Sequence, residues 1–84
     1  MNTNEIYRLI EHEKLRAEGL HKWPRDIIHA VAVVGEESGE AIQAALNYLY
    51  HGKDKEKIRT EIIQTAATCI RFLDNWDNYH ECLP

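Results

Sequence analysis

DIIHAVAVVGEESGEAIQAALNYLY occupies residues 26–50 of the chain. It contains no lysine or arginine, and its only acids beyond Asp26 are Glu36, Glu37 and Glu40. Apolar residues recur at helical spacing, with Ile27, Val31, Val34, Ala41, Ala45 and Leu49 on one side and Ile28, Ile42 and Leu46 on another. Asp26 is a good cap residue and Gly52 a natural stop. The stretch therefore predicts one helix, a rod of ~37 Å at 1.5 Å per residue. A helix apolar over most of its circumference is buried on several sides.

The three glutamates sit badly in such a helix. A solvated helix face mixes signs, so that acids find bases three or four residues away. Here they find none. Two carboxylates ~4 Å apart repel by roughly 4 kcal/mol at an effective dielectric near 20. A partly buried group of them needs a cation from elsewhere, either a divalent metal or a basic residue on another helix. Gly35 and Gly39 lie four apart in the same helix, each at a cost of ~1 kcal/mol relative to alanine. Close approach of a second helix or a ligand would compensate.

Working outward, Ile6, Leu9, Ile10 and Ala17 predict a first helix over about residues 4–18, with Gly19 as its stop. Residues 20–25 read as a loop, because Pro24 disfavours helix at the residue before it. Asp54 caps a third helix over about 54–77, with Ile58, Ile62, Thr65, Cys69, Phe72 and Trp76 on a heptad-like stripe. Residues 78–84 read as a tail. No stretch alternates as a strand does. The expected fold is all-α, a single domain of two long antiparallel helices plus an N-terminal helix. Three helices cannot bury two long apolar rods all round, so a homo-oligomeric helical bundle is expected. The length of 84 residues agrees, since a single core of that size is marginal.

Fourteen acidic against ten basic residues give a net charge of −4. That argues against binding a nucleic-acid polymer, which needs a basic face, but not against a nucleotide carrying its own metal. The first residues lack the apolar core of a signal peptide, and no segment approaches the ~20 apolar residues of a membrane span. A soluble, cytoplasmic chain without a membrane role is expected, with Cys69 and Cys82 as free thiols because no disulfide framework is present.

Glu36 and Glu40 share one face of helix two with His29 and Asn47, Gln43 lies close to it, and Glu37 projects about 100° away. On helix three, Glu61 and Gln64 begin a polar arc continued by Thr68, Arg71 and Asn75. An antiparallel hairpin of the two helices lets Glu36/Glu40 and Glu61/Gln64 converge at mid-height. Four oxygen ligands without a soft sulfur suit Mg²⁺ or Mn²⁺.

Glu36-Glu37-Ser38-Gly39-Glu40, followed after twenty residues by Glu61-Ile62-Ile63-Gln64, resembles the EExxE…ExxD signature of the MazG-like all-α nucleoside triphosphate pyrophosphatases. The resemblance covers roughly residues 23–75, and Gln64 stands where the family pattern has aspartate. It implies a Mg²⁺-dependent hydrolase that cleaves a nucleoside or deoxynucleoside triphosphate to a monophosphate and pyrophosphate. Glu36, Glu40 and Glu61 would ligate metal, and Gln64 would offer a neutral amide oxygen in the fourth place. Glu37 would hold a second metal or orient and deprotonate the attacking water. The family's members are dimers or tetramers, so a homodimer or homotetramer is implied. The alternative is a catalytically degraded relative, a helical oligomer that binds nucleotide or a protein partner.

The remaining candidates each carry a plainer reading. Glu61 can pair with Lys57, four residues earlier on the same face. Arg71 can steady a phosphate, pair with Glu40 or Glu61, or face water. Lys57 belongs to a run with Lys53, Lys55 and Arg59 that reads as a solvated hinge or a phosphate contact. Trp23 can stack on a base or pack in the core or an oligomer contact. His29 reads as a structural histidine.

Overall fold

The computed structural model describes residues 1–80, so Cys82 and the end of the expected tail lie outside the described residues. These residues form three α-helices, α1 (Thr3–Leu20), α2 (Ile27–His51) and α3 (Glu56–Asp74), then one 3₁₀ turn (Trp76–Asn78), and contain no strand. Asp26 caps α2, its Oδ1 accepting from the backbone N–H of Ile28 at 2.8 Å and His29 at 3.3 Å. Gly52 ends α2 with a φ of 64°, a left-handed conformation that glycine adopts without a Cβ clash. Gly19 does not stop α1, which runs one residue further and closes with His21 N–H donating to Ala17 O. α3 ends before residue 77 because Asn75 turns its side-chain amide back onto Arg71 O at 2.8 Å, a local bond that competes with helix continuation.

α3 lies between the other two helices. α2 packs along it antiparallel. α1 runs parallel to it on another side, with Met1 Sδ beside Arg59 and Lys14 Nζ 2.9 Å from Asp74. α1 and α2 do not pack on each other, and a cleft opens between them.

The core is made of alanines. Ala30, Ala41 and Ala44 of α2 and Ala67 of α3 are the buried apolar residues, and no large side chain among the described residues is fully buried. Methyl-sized side chains let two helices approach closely but remove little apolar area from water.

α3 buries its polar side. Glu61 is 4 % exposed and Arg71 8 %, while Gln64, Thr68 and Asn75 are half-buried. The heptad-like stripe is split: Ile58, Thr65 and Phe72 are half-buried, but Ile62, Cys69 and Trp76 are exposed. The cause is that α1 and α2 both flank the polar arc, which leaves the far edge of the stripe uncovered. α2 likewise leaves Ile28 at 78 % and Ile42 at 61 % exposed, with Val31 and Leu49 beside them. Val31 and Val34 meet Cys69, Phe72 and Leu73 across an apolar groove. A methyl group built on Gly35 or Gly39 would meet nothing within 4 Å, so packing inside the chain does not account for either glycine.

Candidate metal centre and adjoining cleft

The i, i+3 spacing of Glu37 and Glu40 puts both on the side of α2 that looks towards α3, and Glu61 comes up from α3 between them. One carboxylate oxygen from each of the three lies within 4.8 Å of the others. Such a group of oxygens can hold a metal ion. Their surroundings sharpen the point. Glu37 Oε2 and Glu61 Oε2 are buried with no hydrogen-bond partner, and a buried acceptor left unpaired costs of order 1–3 kcal/mol, more when charged. Glu61 Oε1 is engaged, at 2.8 Å, by Lys57 Nζ.

The electrostatics follow from this crowding. Burial, reinforced by the charges of Glu40, Glu61, Glu13 and Glu36, pushes the Glu37 carboxyl above its ordinary 4.5. Lys57 moves the other way in charge, its ammonium favoured by its hydrogen bond to Glu61 and by the charges of Glu61 and Glu40. Arg16 of α1 pairs with Glu13, Nε to Oε2 at 2.7 Å, and feels Glu37 as a further negative charge. Four carboxylates, Glu13, Glu37, Glu40 and Glu61, thus share the fields of two cations. Each cation is ion-paired within its own helix, Lys57 to Glu61 and Arg16 to Glu13, and two oxygens stay unpaired.

Glu37 also lines the cleft between α1 and α2, a cavity of about 410 Å³. Arg16, Lys22, Trp23 and Arg71 line it too, together with Glu13, His29 and Gln64. Trp23 is fixed at one edge, Nε1 donating to Tyr79 Oη at 2.8 Å, and that hydroxyl donates in turn to Phe72 O at 2.8 Å. The Arg71 guanidinium lies 5.0 Å from the centre of the Trp23 ring, a cation–π distance, and donates one bond to His21 O at 2.8 Å. A second cavity of about 370 Å³ borders the acids on the other side and is lined by Glu40, Gln43, Asn47, Lys57 and Glu61.

Glu37, Glu40 and Glu61 are thus brought together, Glu40 from an exposed position, while Glu36, also exposed, lies outside the three-oxygen group. Gln64 stands half-buried in the cleft wall with Arg71 and Trp23. Lys57 lies on Glu61, four residues away, as an ion pair of the kind the sequence offers. Sequence reasoning passed over Arg16, Glu13 and Lys22. The only local signal for the first two was their i, i+3 ion pair, and nothing local says that α1 lies against Glu37.

The raised Glu37 value has a direct consequence for stability. The folded chain binds this proton more tightly than the unfolded chain, so the group's contribution is complete below about pH 4.5. It is lost as pH rises through the raised value. The metal-free protein is therefore expected to lose melting temperature over that interval. Saturating Mg²⁺ should reverse the slope, because a ligating carboxylate must be deprotonated. Thermal melts across pH with Mg²⁺ and with a chelator check this.

Comparison of the chain with models of known families, with curated proteins and with solved structures finds no match. Nor is any helix of the described residues long and apolar enough to cross a membrane.

Proposed function

We propose that this chain is a divalent-metal-dependent nucleotide pyrophosphohydrolase, as its resemblance to the MazG-like signature implies. The observation that carries the reading is that one residue, Glu37, belongs both to the acid group and to a cleft that Arg16, Lys22 and Arg71 also line. The donor set fits the ion, since Glu37, Glu40 and Glu61 supply hard oxygens, two of them buried and unpartnered. These ligands suit Mg²⁺ or Mn²⁺. Once bound, such an ion neutralises phosphate oxygens and lowers the pKa of a coordinated water.

The chain's own residues do the rest. Arg16, Lys22 and Arg71, which line the cleft together with Glu13 and Glu37, bind the anionic phosphates of a nucleotide there. Trp23 offers the edge and face not covered by Arg71 to the base. Glu37, which borders both the acid group and the cleft, takes the proton of the water that attacks the α-phosphorus on the carboxylate oxygen not turned to the ion. The bond from the α-phosphorus to the bridging oxygen breaks, and pyrophosphate leaves with that oxygen. The proton departs to solvent. Gln64, beside Glu37 in the cleft wall, contributes a neutral amide that positions substrate or water.

The working form is a homodimer or homotetramer joined through the apolar face of α2 and α3. The occupant is a second copy, because the chain leaves its own core unfinished. α2 is ~37 Å long and two packed helices are ~20 Å wide, so the face offers on the order of 700 Å² per copy. Standard protein interfaces use ~800 Å² per partner. Gly35 and Gly39, open to space within the chain, are then accounted for by the partner's helix.

The test is a screen of nucleoside and deoxynucleoside triphosphates for pyrophosphate release with Mg²⁺ or Mn²⁺. Metal-dependent turnover, lowered at least 10²-fold by Glu40→Ala or Glu37→Ala, is expected. Nucleotide binding without release from any substrate would instead make the chain a degraded, binding-only relative. Neither binding nor release would overturn the reading.

A further inference from the structure

Lys57 is placed against the ordinary rules of helix electrostatics. It occupies the first turn of α3, where the positive end of the helix dipole disfavours a cation. Its partner Glu61 lies four residues later, and Lys-before-Glu is the weaker of the two orders for such a pair. Its side chain is 62 % exposed, whereas that of Glu61 is 5 % exposed. A long, solvated side chain thus reaches inward to a buried carboxylate that forms one corner of the three-oxygen group. It satisfies only Oε1 of that carboxylate and leaves Oε2 without a partner. Lys57 also lines the cavity that opens directly onto Glu40 and Glu61.

We propose that Lys57 is a built-in occupant of the cation site: its ammonium holds Glu61 Oε1 in the metal-free chain and is displaced when a divalent ion binds. The inference rests on the metal reading given above and adds a regulatory element to it. The lysine is suited to the task. A compact charge on a flexible four-carbon stem keeps the acids from being wholly uncompensated, and its exposure lets it swing into water without disturbing the fold. A divalent ion brings twice the charge and reaches all three carboxylates, so it wins the competition at sufficient concentration. Metal affinity is then lower than the acids alone would give, and occupancy responds to the metal concentration rather than being permanent.

Calorimetric titration of the full chain with MnCl₂ alone, without nucleotide, tests this. Lys57→Met keeps most of the stem and removes the charge. It is expected to bind Mn²⁺ about threefold to tenfold more tightly than the unmodified chain, the scale set by an exposed ion pair and one unit of like charge. Lys57→Arg retains the charge and should stay within about twofold, as should Lys53→Met outside the site. Circular dichroism checks that each variant is folded. Unchanged or weaker binding by Lys57→Met, or equal tightening by Lys57→Arg, would overturn the competition while leaving the metal site standing. Absence of Mn²⁺ binding by the unmodified chain and by Lys57→Met alike would overturn both.

Discussion

Glu61→Gln is expected to abolish metal-dependent stabilisation while leaving the metal-free chain as stable as before, or more stable. The two halves of this result have different causes. In the metal-free chain Glu61 is a buried carboxylate with an unpaired oxygen, and among the described residues its ion-pair partner is the exposed Lys57. Replacing a poorly compensated buried charge with a neutral isostere is often neutral or stabilising. The lost exposed ion pair is worth about 0–1 kcal/mol. With metal the balance reverses. An ion held at a hundred times its dissociation constant stabilises the fold by ~2.7 kcal/mol, or roughly 10–20 °C of melting temperature in a domain of this size. Glu61→Gln should lose nearly all of that increment. Melts with Mg²⁺ and with a chelator give both numbers. A variant less stable than the original in chelator, yet equally stabilised by metal, would mean that Glu61 is structural and not a ligand.

The second large effect concerns assembly. The unmodified chain is expected to sediment as a dimer or tetramer of the 9.8 kDa protomer, and Leu73→Glu to sediment as the protomer or to unfold. Leu73 is 65 % exposed in the single chain and lines the apolar groove between α2 and α3. Burying such a side chain contributes about 1.5–3 kcal/mol, and a symmetric dimer buries it twice. Placing an unpaired carboxylate in the same contact adds a desolvation cost of at least 1–3 kcal/mol. Together these weaken association by two orders of magnitude or more. Leu20→Glu, equally exposed but at the end of α1, serves as the control and should leave the assembly intact. Dissociation by both variants, or by neither, would move the interface elsewhere.

The all-α fold was legible because its strongest signals are local: Asp26 as a cap, Gly52 as a stop, and an apolar period without strand-like alternation. The acids were legible for a related reason, since Glu36, Glu37, Glu40 and Glu61 have few cations at helical spacing. Which three converge depends on the rotation of α2 about its axis, and that is a tertiary quantity. Ala30, Ala41 and Ala44 set the rotation by being small enough to meet α3, which brings Glu37 and the exposed Glu40 up to Glu61 and leaves Glu36 outside the group. The polar side that α3 buries was not readable either. Amphipathic pattern says which residues avoid water but not which neighbouring helix covers which side, and α1 and α2 here cover the side of Glu61 and Arg71. The cations that line the cleft escaped notice because Arg16 and Lys22 reach it only through the placement of α1.

Anomalous scattering of Mn²⁺ in crystals of the full chain locates the ion. A peak is expected within coordination distance of oxygens from Glu37, Glu40 and Glu61, with Lys57 turned away from Glu61. Saturating Mn²⁺ with no peak at those three carboxylates, and Lys57 still bound to Glu61, would contradict the metal reading.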